Sequence, residues 1–143
     1  MGAPEGTVTL LGGAATSVSS RPDLRRSFMS RTPQEIFAHH ASALMAEDVE
    51  ELVADFTDDA VFISPRGAGR GKDGARAAFT AVLADLPDAT WDVPTQVFEG
   101  DVLFIRWSAV SQAGRVTDGV DTFVFSDAGI RVQTVSYTLE PAV

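Results

Sequence analysis

Asp121 stands two and four residues before Phe123 and Phe125 in "GVDTFVFSD", a stretch whose alternation reads as a β-strand. The period-2 geometry of a strand puts its carboxyl on the same face as both phenyl rings. A carboxylate among rings is unfavourable unless it is paired or neutralised. The placement therefore implies either a structural ion pair or a pocket acid whose proton affinity is tuned for chemistry. Arg106, inside the preceding strand-like segment "DVLFIRWSAVSQ", is the candidate partner. If "QAGR" closes the hairpin with an even loop, opposed residue numbers sum to 227 and Arg106 faces Asp121. Phe104 then opposes Phe123, Val102 opposes Phe125, and Trp107 stands on the other face. A slip of one residue would turn Arg106 away.

The other candidate acid–base group is His40. On a helix, His39 and His40 point about 100° apart, so the pair cannot grip one metal from one face. No cluster at metal-ligand spacing accompanies them, and no metal or other cofactor is expected. His40 lies one turn after Ile36 and one before Leu44, on the buried stripe of its helix. A buried histidine is more often a core side chain than a catalyst, although its ordinary pKa suits proton transfer. "GRGKDG", residues 69–74, matches G-x-G-x-x-G in form, yet the segments after it read as antiparallel hairpins and not as a βαβ unit. A loop leading into a helix, with Asp73 near the positive end of the dipole, is the expected structure.

Composition narrows the function. The 143 residues include no cysteine, which removes disulfides and thiolate metal sites and makes a reducing cytoplasm the default location. A net charge of −9 repels phosphate backbones, so nucleic acid is not an expected partner. No apolar run approaches the roughly 20 residues that a membrane span requires, so no membrane association is expected either.

The elements that must position these residues can be read in order. Residues 1–30 form a Gly-, Ala-, Ser- and Thr-rich arm without sustained period; it lacks the pattern of a secretory signal, and Met29 is an alternative translation start. Part of the arm, "TVTLL", is expected to pack against another segment. Residues 31–143 form one domain. Thr32, Pro33 and Glu35 make a capping box for a first helix, with Ile36, Phe37, His40, Ala41, Leu44 and Met45 on one side. "DVEELVADF" gives a second helix whose acidic side is a solvated face. "AVFIS" reads as a strand, "RGAGRG" as a loop and "KDGARAAFTAVLADLP" as a third helix. Four strand-like segments with Gly-containing turns complete the chain, which predicts an α+β domain.

This order of elements, with "FTDDAVFISPRG", "GRGKDGARAAF" and "GVDTFVFSDAGIRVQTVSY", resembles the nuclear transport factor 2-like superfamily in its SnoaL-like and ketosteroid-isomerase-like branch, over about residues 32–140. The resemblance implies a cone-shaped α+β barrel: three N-terminal helices packed into a strongly curved, mixed but mainly antiparallel sheet around a deep apolar pocket. It also implies a homodimer through the outer sheet surface. Phe37 from the first helix, Phe62 and Ser64 from the first strand, Phe79 from the third helix, and Phe104, Phe123 and Val135 from the last strands are expected to line the pocket. Asp121 falls where ketosteroid isomerases carry the protonated Asp of their oxyanion hole, an arrangement used as an example of a neutral buried acid. His40 falls near their hydrogen-bonding Tyr. Ser64 occupies the place of their general-base Asp, and a hydroxyl cannot shuttle a proton between carbons unaided. Epoxide hydrolases of the superfamily need a carboxylate two residues after a strand Arg, where this chain has Ser108.

The combined expectation is a small-molecule enzyme of the isomerase, cyclase or lyase type. Asp121, His40 and Arg106 would perform proton transfer on a hydrophobic carbonyl compound. The alternative is a ligand-binding or dimeric assembly module of the same fold without catalysis.

Overall fold

The first helix begins where its capping chemistry requires. Thr32 Oγ1 accepts from the Glu35 backbone N–H at 3.1 Å, and Glu35 Oε1 accepts from the Thr32 N–H at 2.8 Å. With Pro33 at the first position, these bonds open α1 (Pro33–Met45). In the computed structural model, which describes residues 30–142, the second helix α2 (Val49–Ala54) is capped likewise, its Asp48 carboxylate accepting from Glu51 N–H at 3.1 Å. The expectations for "TVTLL" and Met29 lie outside the described residues. Of the expected inner stripe of α1, Ile36, Phe37 and His40 are buried, joined by Ala43, whereas Met45 in the last turn is 64% exposed.

Strand β1 (Phe56–Ser64) starts earlier than "AVFIS" and is followed by β2 (Gly67–Arg70), which pairs back antiparallel from Val61↔Arg70 to Ser64↔Gly67. The expected "RGAGRG" loop is thus a short hairpin strand, invisible to periodicity because four small or charged residues carry no apolar alternation. Helix α3 (Gly71–Asp85) follows and buries Ala75 and Phe79. The glycines of "GRGKDG" serve this junction: a Cβ on Gly74 would lie 2.6 Å from the Gly69 carbonyl carbon, so the helix and β2 touch backbone to backbone. Lys72 Nζ donates to the carbonyls of Val53 and Phe56 and ties α3 to the end of α2. No phosphate-cradling role is needed to explain the motif.

The remaining strands are β3 (Thr90–Glu99), β4 (Val102–Ser111), β5 (Gly114–Ser126), β6 (Gly129–Ser136) and the short β7 (Glu140–Pro141). They form a seven-stranded sheet in the order β2-β1-β6-β5-β4-β3, with β7 pairing β5. Only β1 and β6 run parallel; the other pairs are antiparallel. Register breaks interrupt four of these ladders, one of them around Pro94, which has no N–H to give. Such bulges increase local twist and bend the strands, which curves the sheet. The result is the cone-shaped α+β architecture, an unclosed sheet wrapped around helices. Phe56, Phe123, Ile36, Leu52, Leu86, Leu103 and Ile130 are fully buried within it. Among the described residues no helix is long and apolar enough to cross a membrane.

One of these bulges overturns the expected cross-strand register. The β4–β5 turn pairs Ser111 with Gly114, an even offset that would have kept the predicted faces. Between the pairs Ala109↔Val116 and Trp107↔Gly119, however, β5 spends one residue more than β4. Beyond that point Ile105, not Arg106, lies opposite Asp121, and Leu103 lies opposite Phe123. Every side chain of this part of β4 is therefore turned to the face opposite to that expected.

Candidate functional site

The concave face of the sheet and the helices line a pocket of about 160 Å³ that is partly open to solvent beside the exposed Met45. Helix α1 contributes Phe37 and His40, with Leu44 and Met45; β1 and α3 bring Phe62 and Phe79. Strands β3 and β4 add Trp91, Ile105 and Trp107, and β5 and β6 supply Asp121, Phe123, Gln133 and Val135. Alternation explains the strand contributions, since residues 121 and 123, and 133 and 135, are two apart and so share the inner face.

Asp121 is the polar centre of this hollow, with 6% of its surface exposed. Trp107 Nε1–H donates to its Oδ1 at 2.7 Å and Gln133 Nε2–H to its Oδ2 at 2.7 Å. Both donors are neutral. Burial pushes the carboxyl up to about 6, while the bonds from Trp107 and Gln133 act in the opposite direction. At neutral pH most of the population is therefore ionised. That differs from the protonated acid implied by the ketosteroid-isomerase resemblance, and it gives the group the character of a weak base, not of a hydrogen-bond donor.

The geometry needs a glycine. A Cβ on Gly119 would fall 2.2 Å from Cε2 of Trp107, so the indole lies across the strand where a side chain would otherwise project. The sequence "GVD" thus places the space for the ring two residues before the carboxylate that the ring holds. Trp91 and Tyr137 flank the indole, each with its ring centroid 5.4 Å away. Tyr137 in turn donates to Asp85 Oδ2 at 2.9 Å, and its hydroxyl is pushed up to about 12 by burial and by Asp85.

His40 is 3% exposed and packed against rings: Phe79 at 5.3 Å, Phe123 at 5.4 Å, Phe56 at 6.2 Å and Phe37 at 6.3 Å between centroids. Burial lowers its pKa to about 4, so the ring is neutral at physiological pH. Its Nδ1 is buried without a hydrogen-bond partner. His39 does something different. Its Nδ1 sits 2.6 Å from Asp55 and its Nε2 2.9 Å from Glu51, which clamps α1 to α2 and raises its pKa, chiefly through the Asp55 bond.

Four sequence expectations require correction. Arg106 lies on the outer face of β4, paired with Val120 and Thr95, and cannot polarise anything in the cavity. Phe104 follows it outward and is 38% exposed. The bulge in β5 is the physical reason for both, and it also brings Trp107 inside, where the sequence reading had placed it outside. Ser64 faces a neighbouring cavity of about 210 Å³ that holds Arg66, Asp85 and Tyr137, and its Oγ accepts from Arg66 N–H at 3.2 Å. Phe37, Phe62, Phe79, Phe123, Val135, His40 and Asp121 do converge on the one hollow. Trp107, Gln133 and Trp91 were missed. Gln133 was legible, since it shares strand parity with Val135 and is polar on an apolar face. Among the described residues no cluster of three or more His, Cys, Asp or Glu side chains is arranged to hold a metal.

An α+β cone with a buried carboxylate in an apolar hollow defines a class of pocket proteins. Residues 37–133 match the model of the SnoaL-like domain, and the chain belongs to that family. Solved structures agree on the fold. An NTF2-like protein of unknown function from Burkholderia xenovorans LB400 is 17% identical, with 78% of this chain and 85% of that one covered at a TM-score of 0.64. A proposed ketosteroid isomerase from Kribbella flavida DSM 17836 is 16% identical over 80% and 87% of the two chains, TM-score 0.62. AclR, a proposed hydroxylase from Streptomyces galilaeus, is 13% identical over 74% and 88%, TM-score 0.62. No curated protein matches the sequence.

Proposed function

We propose that this protein is a proton-transfer enzyme of the isomerase, cyclase or lyase type, acting on a hydrophobic carbonyl compound, with Asp121 as its base. The observation that carries the reading is a single ionisable carboxyl, with a pKa of about 6, held by two neutral donors in an aromatic hollow. A base in that range is matched to work near neutral pH. In the step proposed, an Asp121 oxygen takes a proton from the carbon next to the carbonyl. The C–H bond breaks, the O–H bond forms and the electron pair moves onto the carbonyl oxygen. Return of that proton, or of one exchanged with solvent while Asp121 holds it, to another carbon completes an isomerisation without a co-reactant. Neutral His40 is the candidate donor to the developing oxyanion, in place of the Arg106 that the register removes.

The test is exchange of the acidic protons of a cyclic enone in D2O, followed by NMR. Asp121→Asn should lower the catalysed rate by ~10²-fold or more; unchanged exchange would refute the assignment. A binding module without catalysis is the second reading, favoured by Ser64, which faces the neighbouring cavity and leaves Asp121 without a second carboxylate. It requires ligand binding with no exchange at any pH.

A homodimer through the outer sheet surface belongs to the same proposal. Val97, Val102 and Phe104, on the neighbouring strands β3 and β4, are all at least 38% exposed on that surface, an apolar cluster that a second copy would cover. Phe104→Glu should leave a monomer in sedimentation analysis. The absence of cysteine fits a reducing, cytoplasmic setting.

A further inference from the structure

We infer that the ligand of the Asp121 pocket is a monocyclic compound carrying a ring carbonyl and a second oxygen, and that fused polycyclic ketones do not enter it. This narrows the substrate class of the proposed function and rests on its reading of Asp121 as the polar end of the cavity. The first ground is size. The hollow measures about 160 Å³, and an apolar protein cavity of ~150 Å³ is known to hold one benzene ring. A fused four-ring system needs several times that space.

The walls cannot yield it cheaply. Phe37 packs on Phe98 at 6.5 Å and on Phe123 at 5.5 Å, and Phe79 packs on Phe56 at 5.9 Å and on Phe62 at 5.7 Å. Behind the lining, Phe98 backs Phe37, Phe56 backs Phe79 and Phe125 backs Phe123, and close-packed interiors resist enlargement. Rings lining a hollow of this size also favour a flat, unsaturated guest, through offset or edge-to-face contact.

The second ground is the set of unsatisfied polar atoms. Nδ1 of His40, Nε1 of Trp91 and Oε1 of Gln133 are buried with no hydrogen-bond partner, and all three residues line this cavity. An indole N–H can only donate and an amide oxygen can only accept. Once their side chains turn towards the hollow, the two match different groups on a guest: an acceptor such as a carbonyl, and a donor such as a hydroxyl. The carboxylate of Asp121, already accepting from Trp107 and Gln133, likewise asks for a donor or an acidic C–H. A small hydroxylated or enolisable cyclic ketone offers both kinds of group on one ring. A hydrocarbon ring alone would leave the three atoms unpaired.

The chain contains two tryptophans, Trp91 and Trp107, and both line the cavity, so its two indole N–H signals report occupancy directly. The full ¹⁵N-labelled chain is titrated with 4-hydroxy-2-cyclohexen-1-one, a neutral alcohol and ketone on one ring, and with phenol, 2-naphthol and a four-ring steroid enone, all at one concentration below the solubility limit of the steroid and then, for the soluble probes, to saturation. The single-ring ketone should shift both indole signals saturably, bind about tenfold more tightly than phenol, and leave the steroid without effect at matched concentration. Tighter binding of the steroid or of naphthol than of the single-ring ketone overturns the inference, as does an unmoved indole pair at saturation with every single-ring probe. Binding without proton exchange would leave this inference standing and remove only the catalytic role of Asp121.

Discussion

Replacing Asp121 by Asn should make the protein more stable, and by an amount the structure fixes. Folding raises the carboxyl to about 6 from its ordinary 3.8, a gap of about two pH units worth ~3 kcal/mol at about 1.4 kcal/mol each. The sign follows from proton counting. The folded chain holds this proton more tightly than the unfolded chain does, so the carboxyl leaves stability intact below about pH 4 and erodes it as pH rises through 6. At pH 8 the full penalty is present. Asn has nearly the same shape and no charge to bury. Its carbonyl can accept from Trp107 Nε1–H, and its amide can donate to Gln133 Oε1 once the Gln133 amide turns over. That turn pairs the oxygen that now has no partner and leaves the Gln133 amide nitrogen unpaired in its place, so the number of unpaired atoms does not change. The expected gain is about 2–3 kcal/mol at pH 8 and close to zero at pH 4. With an m-value of ~1–3 kcal/mol/M, the urea midpoint should rise by about 0.7–3 M at pH 8. Urea titrations of both proteins at pH 4, 6 and 8 read this difference. A variant less stable than wild type at pH 8, or a difference that does not change with pH, would refute the account of a strained, desolvated carboxylate.

His40 should produce the opposite slope. Its pKa falls to about 4 from 6.5, so the unfolded chain takes up the proton first and this group's contribution is lost as pH falls from about 6.5 towards 4; His40→Leu should remove that loss and leave stability rising as pH falls from 6 to 4 in the same urea series. In the wild type the two slopes largely offset each other between pH 4 and 6, and each single variant unmasks the other. Trp107→Phe keeps a ring but removes a donor, so the Asp121 carboxyl should titrate above its wild-type value by ¹³C NMR, with ~1–3 kcal/mol of stability lost. Gly119→Ala places a methyl 2.2 Å from the Trp107 ring; it should cost ~1–3 kcal/mol or more by urea unfolding and move the Trp107 indole N–H signal away from its carboxylate-bound position.

What the sequence showed and what it hid divide along one physical line. Local chemistry was legible: the Thr32–Glu35 capping box, the stripe of Ile36, Phe37 and His40, and the parity that joins Asp121 to Phe123 and Phe125 all depend on neighbours a few residues away. The cross-strand partner was not, because it depends on a count of residues between distant points. An extra residue in β5, around Thr117 and Asp118, exchanges Arg106 for Trp107 at the carboxylate. Nothing in "RVTDGVD" distinguishes a bulge from a regular strand by alternation alone. Gly119 was the available clue, since a glycine in a strand often marks a bulge or a close approach. Ser64 failed for a related reason: it is the last residue of β1, and the chain turns there into a second hollow.

The exchange of Arg106 for Trp107 changes what Asp121 is. Beside a guanidinium, the carboxyl would be a register pin with a depressed pKa, always charged and of no use as a base. Beside an indole and an amide it is oriented but not neutralised, and its charge is left exposed to whatever enters the hollow. The Asn variant would satisfy the same geometry at lower cost, out of a total stability that for a domain of this size is only ~5–15 kcal/mol. A chain that carries the acid where the amide would fold better spends a sizeable part of that margin on one ionisable proton. Departures of this kind from the locally favoured residue collect at functional sites. Many apolar folds possess a cavity; what marks position 121 is the gap between the residue that packing prefers there and the residue that stands there.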